Sequence, residues 1–463
     1  MKTRKMKAIA LTLVTVIFVG LFSACGSKET GGNGEVTIKV SSWPSKENWP
    51  EVYALAESQR QNMKEKYPNI TIIPDEATYA VDTFLTSAAS GQLTNLYSMP
   101  FTEVKKIVAG GYAADLTEKF KEYGYENALK DSVKSLVNVD GRYYGIPSGG
   151  YIIGMLYNTN LFEEAGLLDE DGKPIYPTNF EELRDTAIQI KEKTGKAGFA
   201  FPTLDKEGGW MFMSMAWSFG VKFMEQVDGK WKATFDSPEM VDVLQYISDL
   251  KWKYDVLPEN VLLSRADVSQ LFATDQLAFM YGAEDWAYNA VAAYGMDKNN
   301  ISLSPVPEGK GGACSQIGGD IYMVSPESTE EQIDAIFKWL TVKGSGTSLD
   351  DAAINSLKDN YKLSADRGLP VAPNSFSIFS GGERVEQESK AKEPFINVDP
   401  RIWNTMYSDK LILKAEEPVE AQQLYAALAP VLQAVLIDKD TDIPALVKKT
   451  NDNFQKDFLD KQN

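Results

Sequence analysis

The chain has 463 residues, with 47 Lys+Arg against 65 Asp+Glu and no histidine, for a formal net charge of −18. So acidic a surface repels nucleic acid and anionic lipid headgroups. The lack of histidine excludes Ser-His-Asp and Cys-His nucleophilic catalysis and leaves little from which to build a zinc or copper site.

The chain opens with Lys2, Arg4, Lys5 and Lys7, followed by the uncharged apolar segment Ala8–Phe22. That segment is too short for a comfortable membrane span and the right length for the core of an export signal. Leu21-Phe22-Ser23-Ala24-Cys25 looks like a lipobox, small residues ahead of a cysteine that would take a diacylglyceryl group and become the mature N-terminus. Cys25 is therefore the expected lipid anchor to the outer face of a membrane. Loss of the four leader bases would take the net charge from −18 to −22. Only Cys314 would then remain as a thiol, so the core and not a disulfide must hold the fold. Gly26–Glu35 carries no apolar residue and reads as a flexible tether.

Val36–Val40 alternates apolar and polar residues as a strand does, and Ile70–Ile73 repeats the signal after the amphipathic stretch Glu51–Lys66, which together predict one βαβ unit. Ser41-Ser42-Trp43-Pro44 falls at the carboxyl end of the first strand, where open α/β folds place ligand contacts, so Trp43 is a candidate. A helical run Val81–Ser90 leads to Leu96-Tyr97-Ser98-Met99-Pro100-Phe101.

The stretch Gly141–Leu168 organises the rest. Tyr151–Tyr157 is a short run of aromatic and branched residues between glycines, the pattern of a buried strand. Asn160 and Glu163 are spaced as a capping box, and Gly166 can end the helix in a left-handed conformation. The succession Tyr144-Gly145-Ile146-Pro147, Leu156-Tyr157-Asn158 and Asn160-Leu161-Phe162-Glu163-Glu164-Ala165-Gly166-Leu167 resembles the family 1 extracellular solute-binding proteins, the carbohydrate-binding lipoproteins of ABC importers. Gly110–Thr117 fits the same pattern, whereas Asn95-Leu96-Tyr97 departs from it. The resemblance implies an α/β, two-lobed, maltose-binding-protein-like fold. Each lobe would be a mixed sheet flanked by helices, with a ligand cleft at the hinge. It places residues 36–150 and 319–345 in one lobe, and 151–318 and 346–463 in the other. Tyr151 would stand at the first crossing, and Asp320, in the return strand Gly318–Val324, at the second.

Thr178-Asn179-Phe180-Glu181 caps a further helix running to about Lys193. Gly208-Gly209-Trp210 opens the helix Met211–Phe219, with Trp210 at its mouth. Gln276–Trp286 resembles the family's strand that ends in a Gly and a Trp, and the resemblance puts Trp286 in the sugar site beside Glu284 and Asp285. Glu330–Leu340 places Ile333, Ile336, Phe337 and Leu340 on one apolar face, with Trp339 packing next to it. Glu417–Val435 and Pro444–Asp460 are expected to close the chain as amphipathic helices.

Sugar rings present an apolar C–H face and a rim of hydroxyls, so their sites pair aromatic platforms with carboxylates and amides. Of nine tryptophans, Trp43, Trp210, Trp286 and Trp403 fall in loops or at element ends, whereas Trp217, Trp252 and Trp339 sit in helical patterns and are expected in the core. Asp438–Asp442 begins like a calcium loop, but Ile443 and Lys449 stand where Gly and Glu are required, and no metal or cofactor is expected. Gly309–Gly312 lacks the spacing of a phosphate-binding loop. The expected ligand set is Trp43, Tyr151, Trp210, Glu284, Asp285, Trp286, Asp320 and Trp403. The protein that these readings imply is a monomer with an oligosaccharide ligand, and its partners would be the membrane subunits of an ABC importer. The alternative is an extracytoplasmic glycan-processing enzyme that uses a carboxylate pair.

Overall fold

The computed structural model describes residues 34–81, 83–373, 376–403, 406, 408 and 410–462; the expected export signal and the expected lipid-bearing Cys25 lie outside them. Among the described residues from Val36 onward, the two largest sheets, of five and four strands, each carry a core of their own.

In the first sheet the strands run in the order Ile70–Pro74, Val36–Val40, Leu96–Pro100, Asp320–Val324, Gly145–Pro147. The first three are parallel, and the expected βαβ unit forms around helix Pro50–Lys66. Asp320–Val324 enters antiparallel between Leu96–Pro100 and Gly145–Pro147. Ile38, Ile72, Met99, Ile146 and Met323 are buried on it. Helix Glu330–Val342 covers them with the expected face, Ile333, Ile336, Phe337 and Leu340, and is started by a Thr329–Gln332 capping box.

The second sheet has the order Ile301–Ser304, Gly154–Asn158, Leu277–Gly282, Ala197–Ala200. Only its last pair is parallel. Met155, Leu156, Tyr157, Phe199, Phe279 and Leu303 are fully buried in it, because helices lie on both faces and leave no polar side to the strands. Helices Asp205–Phe219 and Ala421–Ile437 pack together over this core. Gly209 permits that contact, since a Cβ there would stand 2.1 Å from the Tyr425 carbonyl oxygen.

A small third sheet, Leu411–Lys414, Ala313–Gly318, Tyr151–Ile152, lies where the chain passes between the two cores. The run expected as one strand, Tyr151–Tyr157, breaks at Ile153, whose amide turns to the Gln316 carbonyl. Ala313–Val324 likewise breaks at Gly319, where φ is 150° and a Cβ would strike the Gly149 carbonyl oxygen.

Several local expectations are corrected. Helix Thr159–Glu164 is capped by Asn158, whose side chain accepts from the Asn160 and Leu161 amides, and not by Asn160. Asn179 caps Phe180–Thr194, with Glu182 reaching back to the Thr178 amide at 2.7 Å. Trp252 is not core but 43% exposed, because helix Pro238–Trp252 ends there and its indole N–H donates to the Val435 carbonyl. Ile378 and Phe379 pack into the first core, and helix Asp351–Asp366 lies against Pro50–Lys66 and Glu330–Val342. The segment after residue 345 is therefore shared between the cores.

Candidate functional site

The two strands that cross between the cores meet at Tyr151, opposite Gly318 in the register. A Cβ on Gly318 would stand 2.4 Å from the phenol oxygen, so glycine is what lets the Tyr151 ring lie across the neighbouring strand. The Tyr151 ring meets Trp210 edge to face, with centroids 6.2 Å apart and planes at 74°. Helix Asp205–Phe219 begins two turns earlier than expected, so Trp210 stands inside it and not at its mouth. The indole N–H of Trp210 donates to Glu416 Oε1 at 2.8 Å, and Gln316 Nε2 donates to the same oxygen at 3.1 Å.

Burial holds the Glu416 carboxyl up at about 7, against the opposing pull of its hydrogen-bond donors. Burial likewise raises the Tyr151 phenol, and the nearby charges of Glu416, Asp285 and Asp320 push the same way while Arg265 opposes them. Asp285 and Asp320 are open to solvent on one side, yet desolvation by the surrounding protein raises both carboxyls. Tyr151, Trp210, Asp285 and Asp320 from the expected set thus gather in one place, joined by Glu416 and Arg265.

Asp320 connects this cluster to a cavity of about 510 Å³ at the carboxyl end of strand Val36–Val40, beside Leu96, Tyr97 and Ser98 of the neighbouring strand. Trp43 forms its wall, buried at 6% exposure and stacked on Trp339 with centroids 5.8 Å apart and planes at 17°. Lys343 caps the other side of the wall, its Nζ 5.7 Å from the Trp339 ring centroid and donating to the Tyr322 hydroxyl at 3.1 Å. Ser42, Ser98, Ser148 and Asn360 add neutral donors and acceptors.

Two expected platforms lie deeper. Strand Leu277–Gly282 is followed at once by helix Glu284–Tyr294, which puts Trp286 in the first helical turn. It is 2% exposed, it packs against Gly282, and the Arg265 guanidinium covers its ring at 4.7 Å. Trp403, at the end of the short helix Pro400–Trp403, is 1% exposed and meets Tyr288 edge on. Neither offers a ring face to solvent in this conformation. Glu284 and Asp285 diverge because successive helical residues point about 100° apart. Glu284 turns inward toward Tyr288 and Asp285 outward toward Tyr151.

Sequence reasoning did not single out Glu416, Arg265 or Lys343, and it assigned Trp339 to packing alone. The one available signal for Glu416 was the acidic pair Glu416-Glu417 before Pro418, in the loop between a strand and a helix.

Carboxylates, amides and aromatic rings gather at the junction of two α/β cores, the kind of surface on which small solutes bind. A family described as bacterial extracellular solute-binding protein matches residues 59–350, and the chain belongs to it. Among similar proteins, the lactose-binding protein of Rhizobium radiobacter is 28% identical over 315 residues, 64% of this chain and 68% of that one. The chain spans 38% of the length of other curated relatives, at 26% identity. Two solved structures align with 91% of this chain and 99% of their own. They are a solute-binding protein from Thermotoga lettingae bound with α-D-tagatose (20% identity, TM-score 0.66) and maltose-bound T. maritima MalE3 (19%, 0.64). The fold is therefore maltose-binding-protein-like, as the resemblance implied. The family is one of binding proteins, so the glycan-processing alternative is set aside. Among the described residues no helix is long and apolar enough to cross a membrane.

Proposed function

We propose that this protein captures an oligosaccharide between two lobes and delivers it to the membrane subunits of an ABC importer. The observation that carries the reading is the Tyr151–Trp210–Glu416 arrangement. A carboxyl with a pKa raised to about 7 and two aromatic rings meeting edge to face line the junction of the cores, and a solvent-open cavity walled by hydroxyls, an amide, Asp320 and Lys343 adjoins them. Stacking on a sugar's C–H face and hydrogen bonds to its hydroxyls are what such a surface supplies. The ligand contacts are Tyr151, Trp210, Asp285, Asp320 and Trp43, with Trp286, Glu284 and Trp403 supporting them from behind.

The lobes are residues 36–150 with 319–345, and 151–318 with most of 346–463; they rotate about the crossings at Tyr151 and Gly319 when ligand binds. Cys25 carries the lipid that holds a monomer at the outer face of the cell membrane. The sugar names of relatives support this reading, among them those of the lactose-binding protein and of an arabinooligosaccharide-binding protein. A thermal-shift screen of neutral and acidic oligosaccharides tests it, since a ligand that binds only the folded state raises the melting temperature. At least one oligosaccharide is expected to do so; a screen in which none does, while a non-sugar solute does, would overturn it. Cys25→Ala is expected to move the protein from membrane to medium with binding unchanged, and full retention would refute the anchor.

A further inference from the structure

Glu416 is held by neutral donors. The Trp210 indole and the Gln316 amide share its Oε1 at 2.8 and 3.1 Å, the Tyr425 phenol faces it from helix Ala421–Ile437, and it makes no ion pair among the described residues. The charges around it are mostly of its own sign. Glu103 faces it from the first core, Glu417 stands beside it in its own loop, and Asp285 and Asp320 lie beyond Tyr151. The basic groups are spent elsewhere or stand further off: Lys106 and Lys206 act on Glu103, Lys414 acts on Glu417, Arg265 acts on Asp285, and Lys105 lines only the cavity described below.

Gln316 offers what a protonated carboxyl needs. It is fully buried, and while its Nε2 donates to Glu416, its Oε1 has no hydrogen-bond partner. Turning the amide over exchanges the two atoms and sets Oε1 against Glu416, a contact that is favourable when the carboxyl carries a proton to donate. Nothing bonds the far atom of the amide as it stands, so the turn breaks no hydrogen bond there. A cavity of about 190 Å³ reaches Glu416 between Phe101, Thr102 and Leu136 of the first core and Glu417 and Pro418 of its own loop. It gives a proton a route that passes none of the proposed ligand contacts.

We infer that Glu416 and Gln316 form a ligand-linked proton site: capture of a sugar puts a proton on Glu416, and the Gln316 amide turns to accept the new O–H. The inference rests on the capture reading. A buffer acid loses the proton, one O–H bond forms at Glu416, and the side chain goes from −1 to neutral. The cause is water. A sugar over Tyr151 and Trp210 expels the solvent that screens Glu416 from Asp285 and Asp320, and their repulsion then favours the neutral carboxyl. Glu416 acts through Trp210, so it is a positioning residue. Its carboxyl already titrates near 7 without sugar, and the bound state holds the proton more tightly still. Affinity is therefore greatest below that range and is lost as pH rises through it.

Calorimetric titration with maltotriose, lactose and arabinotriose as probes, at pH 7.5 in phosphate and again in Tris, tests this, because the difference in enthalpy between the buffers counts the protons bound per sugar. For a rise of about one pKa unit on capture, about half a proton should be taken up, and affinity should fall roughly five- to tenfold between pH 5.5 and pH 8.5. Glu416→Gln, shown by its melting temperature to be folded, should abolish both the uptake and the pH dependence. Glu103→Gln removes a facing charge and should move the midpoint to lower pH, which a merely structural carboxyl would not do. Without sugar, tryptophan emission should show a transition near pH 7 that Glu416→Gln and Trp210→Phe both remove. A probe that binds equally across that range with no proton uptake, or uptake that survives Glu416→Gln, would overturn the inference and leave the capture reading standing. Emission that stays constant from pH 5.5 to pH 8.5 would overturn it without any sugar. If none of the three probes binds at pH 5.5, the inference falls and the wider thermal-shift screen decides the capture reading.

Discussion

The cavity at the edge of the first sheet and the cluster at the crossing strands are built from different chemistry. The cavity offers serine hydroxyls, Asn360 and the Lys343 ammonium beside a stacked tryptophan pair. The crossing cluster offers Glu416, Asp285 and Asp320, all with raised carboxyl pKa values, around an edge-to-face aromatic pair. The cavity both donates and accepts hydrogen bonds, whereas the crossing cluster is rich in carboxyl acceptors. A polyhydroxylated ligand satisfies both at once, because each hydroxyl is donor and acceptor. The two tryptophans also differ in setting: Trp210 is partly buried against the second core with its indole N–H bound to Glu416, whereas Trp286 is enclosed by core residues with the Arg265 guanidinium over its ring.

The largest effect that would sharpen this contrast is on stability. Trp286→Ala should cost about 3–5 kcal/mol of folding free energy through the cavity it leaves, which denaturant unfolding measures. A loss below about 1 kcal/mol would mean that Trp286 does not belong to the core.

Next comes the pH dependence of Glu416. Its folded-state pKa of about 7 lies above the ordinary value of 4.5, so the folded state holds the proton more tightly than the unfolded state does. Stability should therefore be highest near and below pH 4.5 as far as this group is concerned, and should fall as pH rises toward 7, by roughly 3 kcal/mol for a shift of that size. Glu416→Gln keeps an acceptor for Trp210 and should flatten that slope. An unchanged slope in melting temperature against pH would place the raised carboxyl elsewhere.

Gly318→Ala should act on the crossing cluster alone. Its new methyl group collides with the Tyr151 ring at 2.4 Å, and overpacking of this kind costs about 1–3 kcal/mol. The expected readout is weaker ligand binding as Tyr151 is displaced; undiminished affinity would free Tyr151 of any role in the ligand surface.

Much of the fold is legible in the sequence because its signals are local. Period-two alternation marks Val36–Val40, and Ile333, Ile336, Phe337 and Leu340 fall at helical spacing. The junction is less legible because its groups come together only in three dimensions. Tyr151 and Glu416 are far apart in sequence, and nothing near Glu416 marks it as the acceptor of Trp210. Trp286 and Trp403 mislead for a related reason. A glycine four residues before Trp286 and a proline three residues before Trp403 make each look like a loop residue, yet in each case a helix begins within three residues and the ring is buried. Trp252 errs the other way, since its helical pattern ends at the surface.

Calorimetric titration of Trp210→Ala, with the oligosaccharide that most raises the melting temperature of the unaltered protein, tests the central claim most directly. Removing a stacking aromatic from the centre of a binding surface costs on the order of 2 kcal/mol. The variant should therefore bind at least about tenfold more weakly while its melting temperature stays close to that of the unaltered protein. A folded Trp210→Ala protein with undiminished affinity would contradict the assignment of the Tyr151–Trp210–Glu416 cluster as the ligand surface.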